Sequence, residues 1–89
     1  MAKIVSNPKG FKVIQINRVE LVKKLSHQGS IGICDFCNKT SEIGYYIAVL
    51  NSWYCEKCYK NWLIRAKYYV EDLDIEKRNF ETLKKIFGL

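Results

Sequence analysis

Cys34-Asp35-Phe36-Cys37 and Cys55-Glu56-Lys57-Cys58 hold all four cysteines of the chain, with seventeen residues, Asn38 to Tyr54, between the two pairs. A gap of two residues lets one turn of backbone aim two thiolates at a single point, and a tetrahedral zinc ion needs four such ligands. Two such turns, joined by a loop long enough to fold back, close the shell. The pattern C-x2-C-x17-C-x2-C lies within the spacing of structural zinc sites. It predicts Cys34, Cys37, Cys55 and Cys58 as the ligands of one structural Zn2+.

Two other uses of four cysteines compete with this reading. They could form two disulfides, in any of three pairings, and staple a small secreted domain. The opening Met-Ala-Lys-Ile-Val-Ser-Asn-Pro lacks the apolar core of a signal peptide. The expectation is therefore a reducing, cytoplasmic setting, in which disulfides are rare. A redox role for Cys55 and Cys58 at a helix start is the second rival. It leaves the first pair unexplained, whereas one metal shell uses both.

Eighty-nine residues make a single domain whose core is small, and a structural ion is a common remedy at that size. Hydrophobic residues at 48% and charged residues at 27% describe a globular chain rather than a disordered one. No apolar run approaches the length of a membrane span. The formal net charge of +6 becomes +4 once four thiolates and a zinc ion are counted. It is also uneven. Residues 1–29 carry six basic groups against one acid, residues 30–68 five against three, and residues 69–89 four against five. A basic front and a near-neutral tail suit an acidic partner, either nucleic acid or an acidic protein face, and equally suit solvated lysines that serve solubility.

Asn7-Pro8-Lys9-Gly10 reads as a turn, and Phe11 to Ile16 as a short strand. Asn17 is placed to cap a helix, with Glu20 in the capping-box position. Val19, Leu21, Val22 and Leu25 would form its apolar face, and His27-Gln28-Gly29-Ser30 its end. Past the first cysteine pair, Asn38-Lys39-Thr40-Ser41 is polar loop. Tyr45 to Leu50 and Trp53-Tyr54, around a turn at Asn51-Ser52, suggest a β-hairpin that carries the second pair back over the first. From Cys55, the stripe Tyr59, Trp62, Leu63, Ala66, Tyr69 and Val70 predicts a helix whose first turn holds two ligands. Asp72 or Asp74 would break it or cap the next element. Phe80, Leu83, Ile86 and Phe87 mark a final amphipathic helix, with Asn79 as a cap and Gly88 near its end.

The expected fold is therefore a small α+β zinc-binding domain. Residues 1–30 form a strand–helix extension, residues 31–70 the four-cysteine zinc module and residues 71–89 a C-terminal amphipathic helix. The order of knuckle, β-hairpin and ligand-bearing helix resembles a treble-clef zinc finger over about Gly32 to Tyr69. Trp53-Tyr54-Cys55-Glu56-Lys57-Cys58-Tyr59, an aromatic pair running into the second CxxC, carries that resemblance most closely. The seventeen-residue gap is similar to that of GATA-type fingers, which read DNA, and of LIM-domain halves, which bind proteins. GATA fingers have a basic hairpin and a basic tail. Here Tyr45 to Leu50 has no base, and Glu71-Asp72-Leu73-Asp74 after the helix is acidic. A LIM domain needs a second zinc site, for which no ligands remain. Small treble-clef proteins also occur in phages and mobile elements, sometimes as inhibitors of host machinery.

Catalysis is not expected. Enzymatic zinc keeps one position open for water, and four cysteines leave none. His27, the only histidine, reads as a solvated side chain rather than a ligand. Glu71, Asp72, Asp74 and Glu76 lack the glycine and spacing of a calcium loop and read as capping and solvated linker. The favoured function is a protein-docking module, adaptor or inhibitor-like, that uses exposed members of the twelve aromatic residues as anchors, together with the terminal helix and a basic face. Trp53, Trp62 and Tyr69 read individually as core. The alternative is nucleic-acid binding through Lys9, Lys12, Arg18, Lys23, Lys24, Lys57, Lys60, Arg65 and Lys67. Tyr59 and Tyr68 would then stack on bases.

Overall fold

Val13, Ile14 and Ile16 are all fully buried although they point to opposite faces of one strand, so the sheet they belong to must be covered on both sides. The computed structural model describes residues 2–25 and 33–89. Within them β1 (Lys3–Val5), β2 (Val13–Asn17), β3 (Ile43–Ile47) and β4 (Ser52–Cys55) form one antiparallel sheet in the order β1-β2-β3-β4. Among the described residues three α-helices accompany it: α1 (Arg18–Leu25), α2 (Glu56–Arg65) and α3 (Leu73–Phe87). A 3-10 turn, Val70–Asp72, leads into α3.

The register sorts the side chains. Ile14 stands opposite Tyr46, and Tyr46 opposite Trp53. That face packs with Leu21 of α1 and with Phe80 and Leu83 of α3. Val13 opposite Ile47, and Tyr45 opposite Tyr54, belong to the other face, which packs with Tyr59 and Trp62 of α2. Helix, sheet and helix thus form three layers. The ring of Tyr45 stacks on that of Tyr59 with centroids 4.3 Å apart, which fixes α2 over β3.

Local chemistry explains most boundaries. Gly10 adopts φ 77° at the end of the first turn, while Asn7 Oδ1 accepts the amides of Lys9 and Phe11. Asn17 caps α1 by accepting the Glu20 amide at 2.8 Å. The Glu20 carboxylate accepts the Ala2 amide at 3.0 Å, tying β1 to the helix. Gly88 at φ 69° ends α3 in the left-handed region. The expected helix end at His27 to Ser30 lies outside the described residues.

Several expectations need correction. Strand β1 is absent from the sequence reading: it has three residues, and Ile4 is exposed. Val19 and Val22 are exposed, so Leu21 rather than a valine stripe carries α1 into the core. The hairpin turn is not Asn51-Ser52. Ala48 to Asn51 make the turn, with Leu50 N–H donating to Ile47 O and Asn51 N–H to Ala48 O. An apolar turn is stable here because Asn79 Nδ2, from mid-α3 rather than a cap, donates to Ala48 O at 2.8 Å. The Tyr46 hydroxyl also donates to Asn51 Oδ1 at 2.6 Å.

Helix α2 ends at Arg65, short of the expected Tyr69 and Val70, because Ala66 turns to extended backbone. The Lys9 ammonium donates to the carbonyls of Ile64 and Ala66 at 3.3 and 2.7 Å. A cation on terminal carbonyls stabilises a helix C-terminus, and stopping there lets the chain cross to the opposite face of the sheet. Tyr69 and Val70 are consequently exposed rather than core, whereas Trp53 and Trp62 are buried. Glu76 is not solvated linker: it is 1% exposed. Its carboxylate accepts the Lys12 amide at 3.0 Å and the Tyr68 hydroxyl at 2.7 Å.

Candidate metal centre

The four cysteines reach one point from three pieces of backbone. Cys34 and Cys37 sit on a knuckle closed by Cys34 N–H donating to Lys39 O and Asn38 N–H donating to Cys34 O, both at 2.9 Å. Asn38 takes φ 62° to complete the reversal, a conformation that asparagine tolerates better than most residues. Cys55 is the last residue of β4 and the N-cap of α2, and Cys58 lies in the first turn of that helix.

The four Sγ atoms all lie within 4.8 Å of one another, and those of Cys37 and Cys55 are 3.9 Å apart. A tetrahedral shell with Zn–S bonds of about 2.3 Å has sulfur–sulfur edges of roughly 3.8 Å, so the cluster fits zinc with little movement. All four cysteines are free thiols. Cys34 is fully buried and Cys58 nearly so, while Cys37 and Cys55 are half-buried.

The surroundings treat the sulfurs unequally. Burial alone would raise the Cys34 pKa, but the backbone amides of Cys37, Cys55 and Phe36 outweigh it and hold that thiol at about 7. The Phe36 amide lies 3.4 Å from the sulfur. Burial, reinforced by hydrogen bonds with the other three cysteines, pushes the Cys58 thiol up to about 12. The Cys34 thiolate is thus favoured by amides of its own knuckle and of Cys55, and Cys58 needs a cation before it ionises.

Sequence reasoning misses the contact that fixes the knuckle to the sheet. Asp35 N–H donates to Trp53 O, and Asp35 Oδ2 accepts Trp53 N–H, both at 2.9 Å. The knuckle thereby occupies the outer edge of β4. The Trp53 indole donates to Ile16 O at 3.1 Å and lies over Gly44, where any Cβ would collide with it. Asp35 carries a readable signal, a carboxylate inside the first CxxC, but its partner is eighteen residues away.

Around the centre, Phe36 is exposed at the tip of the knuckle, with the Arg65 guanidinium 5.4 Å from its ring centroid and Tyr54 at 5.8 Å. Of the expected stacking tyrosines, Tyr59 is buried and Tyr68 is half-exposed. Lys57 and Lys60 are exposed on α2, and Lys60 meets Glu56 at 4.0 Å. No helix among the described residues is long and apolar enough to cross a membrane. In comparisons with known proteins, the chain matches no family model, no curated protein and no solved structure.

Proposed function

We propose that this chain is a non-enzymatic zinc-stapled interaction module of treble-clef type that docks to a protein partner, as an adaptor or an inhibitor. The observation that carries the metal part is the convergence of four sulfurs within 4.8 Å. A shell of four cysteines has no position for water, so the ion would hold the fold rather than activate a substrate. Its binding free energy, on the order of 10–16 kcal/mol in comparable sites, is coupled to folding. The treble-clef reading is supported by chain order: knuckle, the β3–β4 hairpin, then α2 with Cys58 in its first turn.

Protein docking is supported by the large apolar side chains left outside two well-filled cores, among them Ile64 at 79% exposure. The nucleic-acid reading keeps one local feature, Phe36 with Arg65 over its ring. It loses Tyr59 to the core. The zinc-loaded protein, immobilised and offered a cell extract with and without nuclease, tests the choice. Partners retained after nuclease treatment support protein docking, and loss of every partner overturns it.

A further inference from the structure

The stretch Tyr69-Val70-Glu71-Asp72-Leu73-Asp74-Ile75-Glu76 contains four carboxylates and no base, in a chain whose net charge is +6. Its first part is an ordered turn: Asp72 N–H donates to Tyr69 O and Leu73 N–H to Val70 O. Tyr69, Val70 and Leu73 are nevertheless 54%, 75% and 43% exposed. Apolar side chains held outward on ordered backbone are a feature of docking surfaces.

The acids need an explanation of their own. Asp74 lies in the first turn of α3 and is accounted for by the helix dipole. Asp72 occupies the N-cap, yet its side chain makes no capping hydrogen bond. No ion pair among the described residues reaches Glu71, Asp72 or Asp74. Glu76 alone is used internally, by Lys12 and Tyr68. Glu71 and Asp72, which no internal partner compensates, and Asp74 beside them therefore flank the exposed Tyr69, Val70 and Leu73. That arrangement complements an apolar anchor with cations beside it.

Resting on the protein-docking reading above, we propose that Tyr69–Asp74 is the docking face for an amphipathic partner segment bearing lysine or arginine. Apolar residues of the partner would cover Val70 and Leu73, and its cations would lie against Glu71, Asp72 and Asp74. The charge asymmetry would orient the segment and reject acidic competitors.

The test is an NMR titration of the zinc-loaded full chain with a synthetic Lys/Leu amphipathic helical peptide. A Glu/Leu peptide of the same pattern and a single-stranded oligonucleotide serve as comparisons. The proposal expects amide shifts concentrated at residues 69–74 with the Lys/Leu peptide and none with the Glu/Leu peptide. It also expects at least a tenfold loss of affinity in Val70→Ser and in Asp72→Asn/Asp74→Asn. Val70 and Asp74 are exposed, and Asp72 is half-buried with no capping hydrogen bond from its side chain, so both variants should retain zinc and the wild-type amide spectrum.

Shifts spread over the surface, unchanged affinity in both variants, or equal binding of the two peptides would overturn it. So would a self-association of the free chain that Val70→Ser abolishes, since the occupant would then be a second copy. Shifts at Lys57 and Lys60 with the oligonucleotide alone would also overturn it. If nuclease-resistant partners persist unchanged on the Val70→Ser protein, docking stands and this face is wrong. If nuclease removes every partner, the parent reading is wrong.

Discussion

Asp35 and Trp53 bind each other twice, amide to carbonyl and carboxylate to amide, each at 2.9 Å. The pair joins the Cys34–Cys37 knuckle to the edge of the sheet that delivers Cys55. Two cysteines on a turn and two at a strand–helix junction share a common centre only if those pieces keep their relative placement. Asp35 is therefore a positioning residue for the sulfur cluster.

Asp35→Ala should lower zinc affinity by roughly 10–100-fold, the scale seen when groups that orient metal ligands are removed. Asp35→Asn retains an acceptor oxygen and should lose less. Competition with a chromophoric chelator measures both, and wild-type affinity in the alanine variant would show that the clamp does not position the site.

This clamp also marks the limit of what the sequence reveals. The cysteine cluster is readable because a CxxC turn is local, and α1 is readable because Asn17 caps it within three residues. Leu21 and Phe80 can be placed in a core by periodicity, since each side chain faces one way along its helix. β1, the Ala48–Asn51 turn and the end of α2 depend on partners distant in sequence. Lys9 reaches across to Ile64 and Ala66, and Asn79 to Ala48. Glu76 reads as a solvated acid because nothing near it in the chain indicates that Lys12 N–H and the Tyr68 hydroxyl await its carboxylate.

Gly44→Ala should be among the more damaging small changes outside the ligands. A Cβ there collides with the Trp53 indole, whose displacement breaks its bond to Ile16 O. A loss of about 1–3 kcal/mol is expected from overpacking, accompanied by a shift in tryptophan emission. An unchanged denaturation midpoint would mean that the indole has room to move.

Glu76 joins Lys12, just before β2, and the segment after α2 to α3 through one buried carboxylate. Glu76→Gln replaces one acceptor oxygen by a donor that faces an existing N–H or O–H. It should cost on the order of 1–3 kcal/mol through an unsatisfied buried group. Tyr68→Phe removes only the hydroxyl and should cost less. Chemical denaturation of the zinc-loaded variants orders them, and the reverse order would contradict this role.

Zinc affinity should rise with pH, because each thiolate formed must shed a proton first. Chelation unfolds the chain in this scheme, so the thiols that ionise on binding are those of an unfolded chain, with the ordinary value of 9.0. Log affinity should therefore climb through the neutral range and flatten above that value. A pH-independent affinity would exclude thiolate ligation.

The most direct measurement is native mass spectrometry of the purified protein under reducing conditions, paired with circular dichroism before and after a strong chelator. One zinc per chain bound to four reduced cysteines is expected, with the folded signal lost on chelation and restored when zinc is added. A metal-free mass, cysteines joined to one another, or an unchanged spectrum in chelator would contradict it.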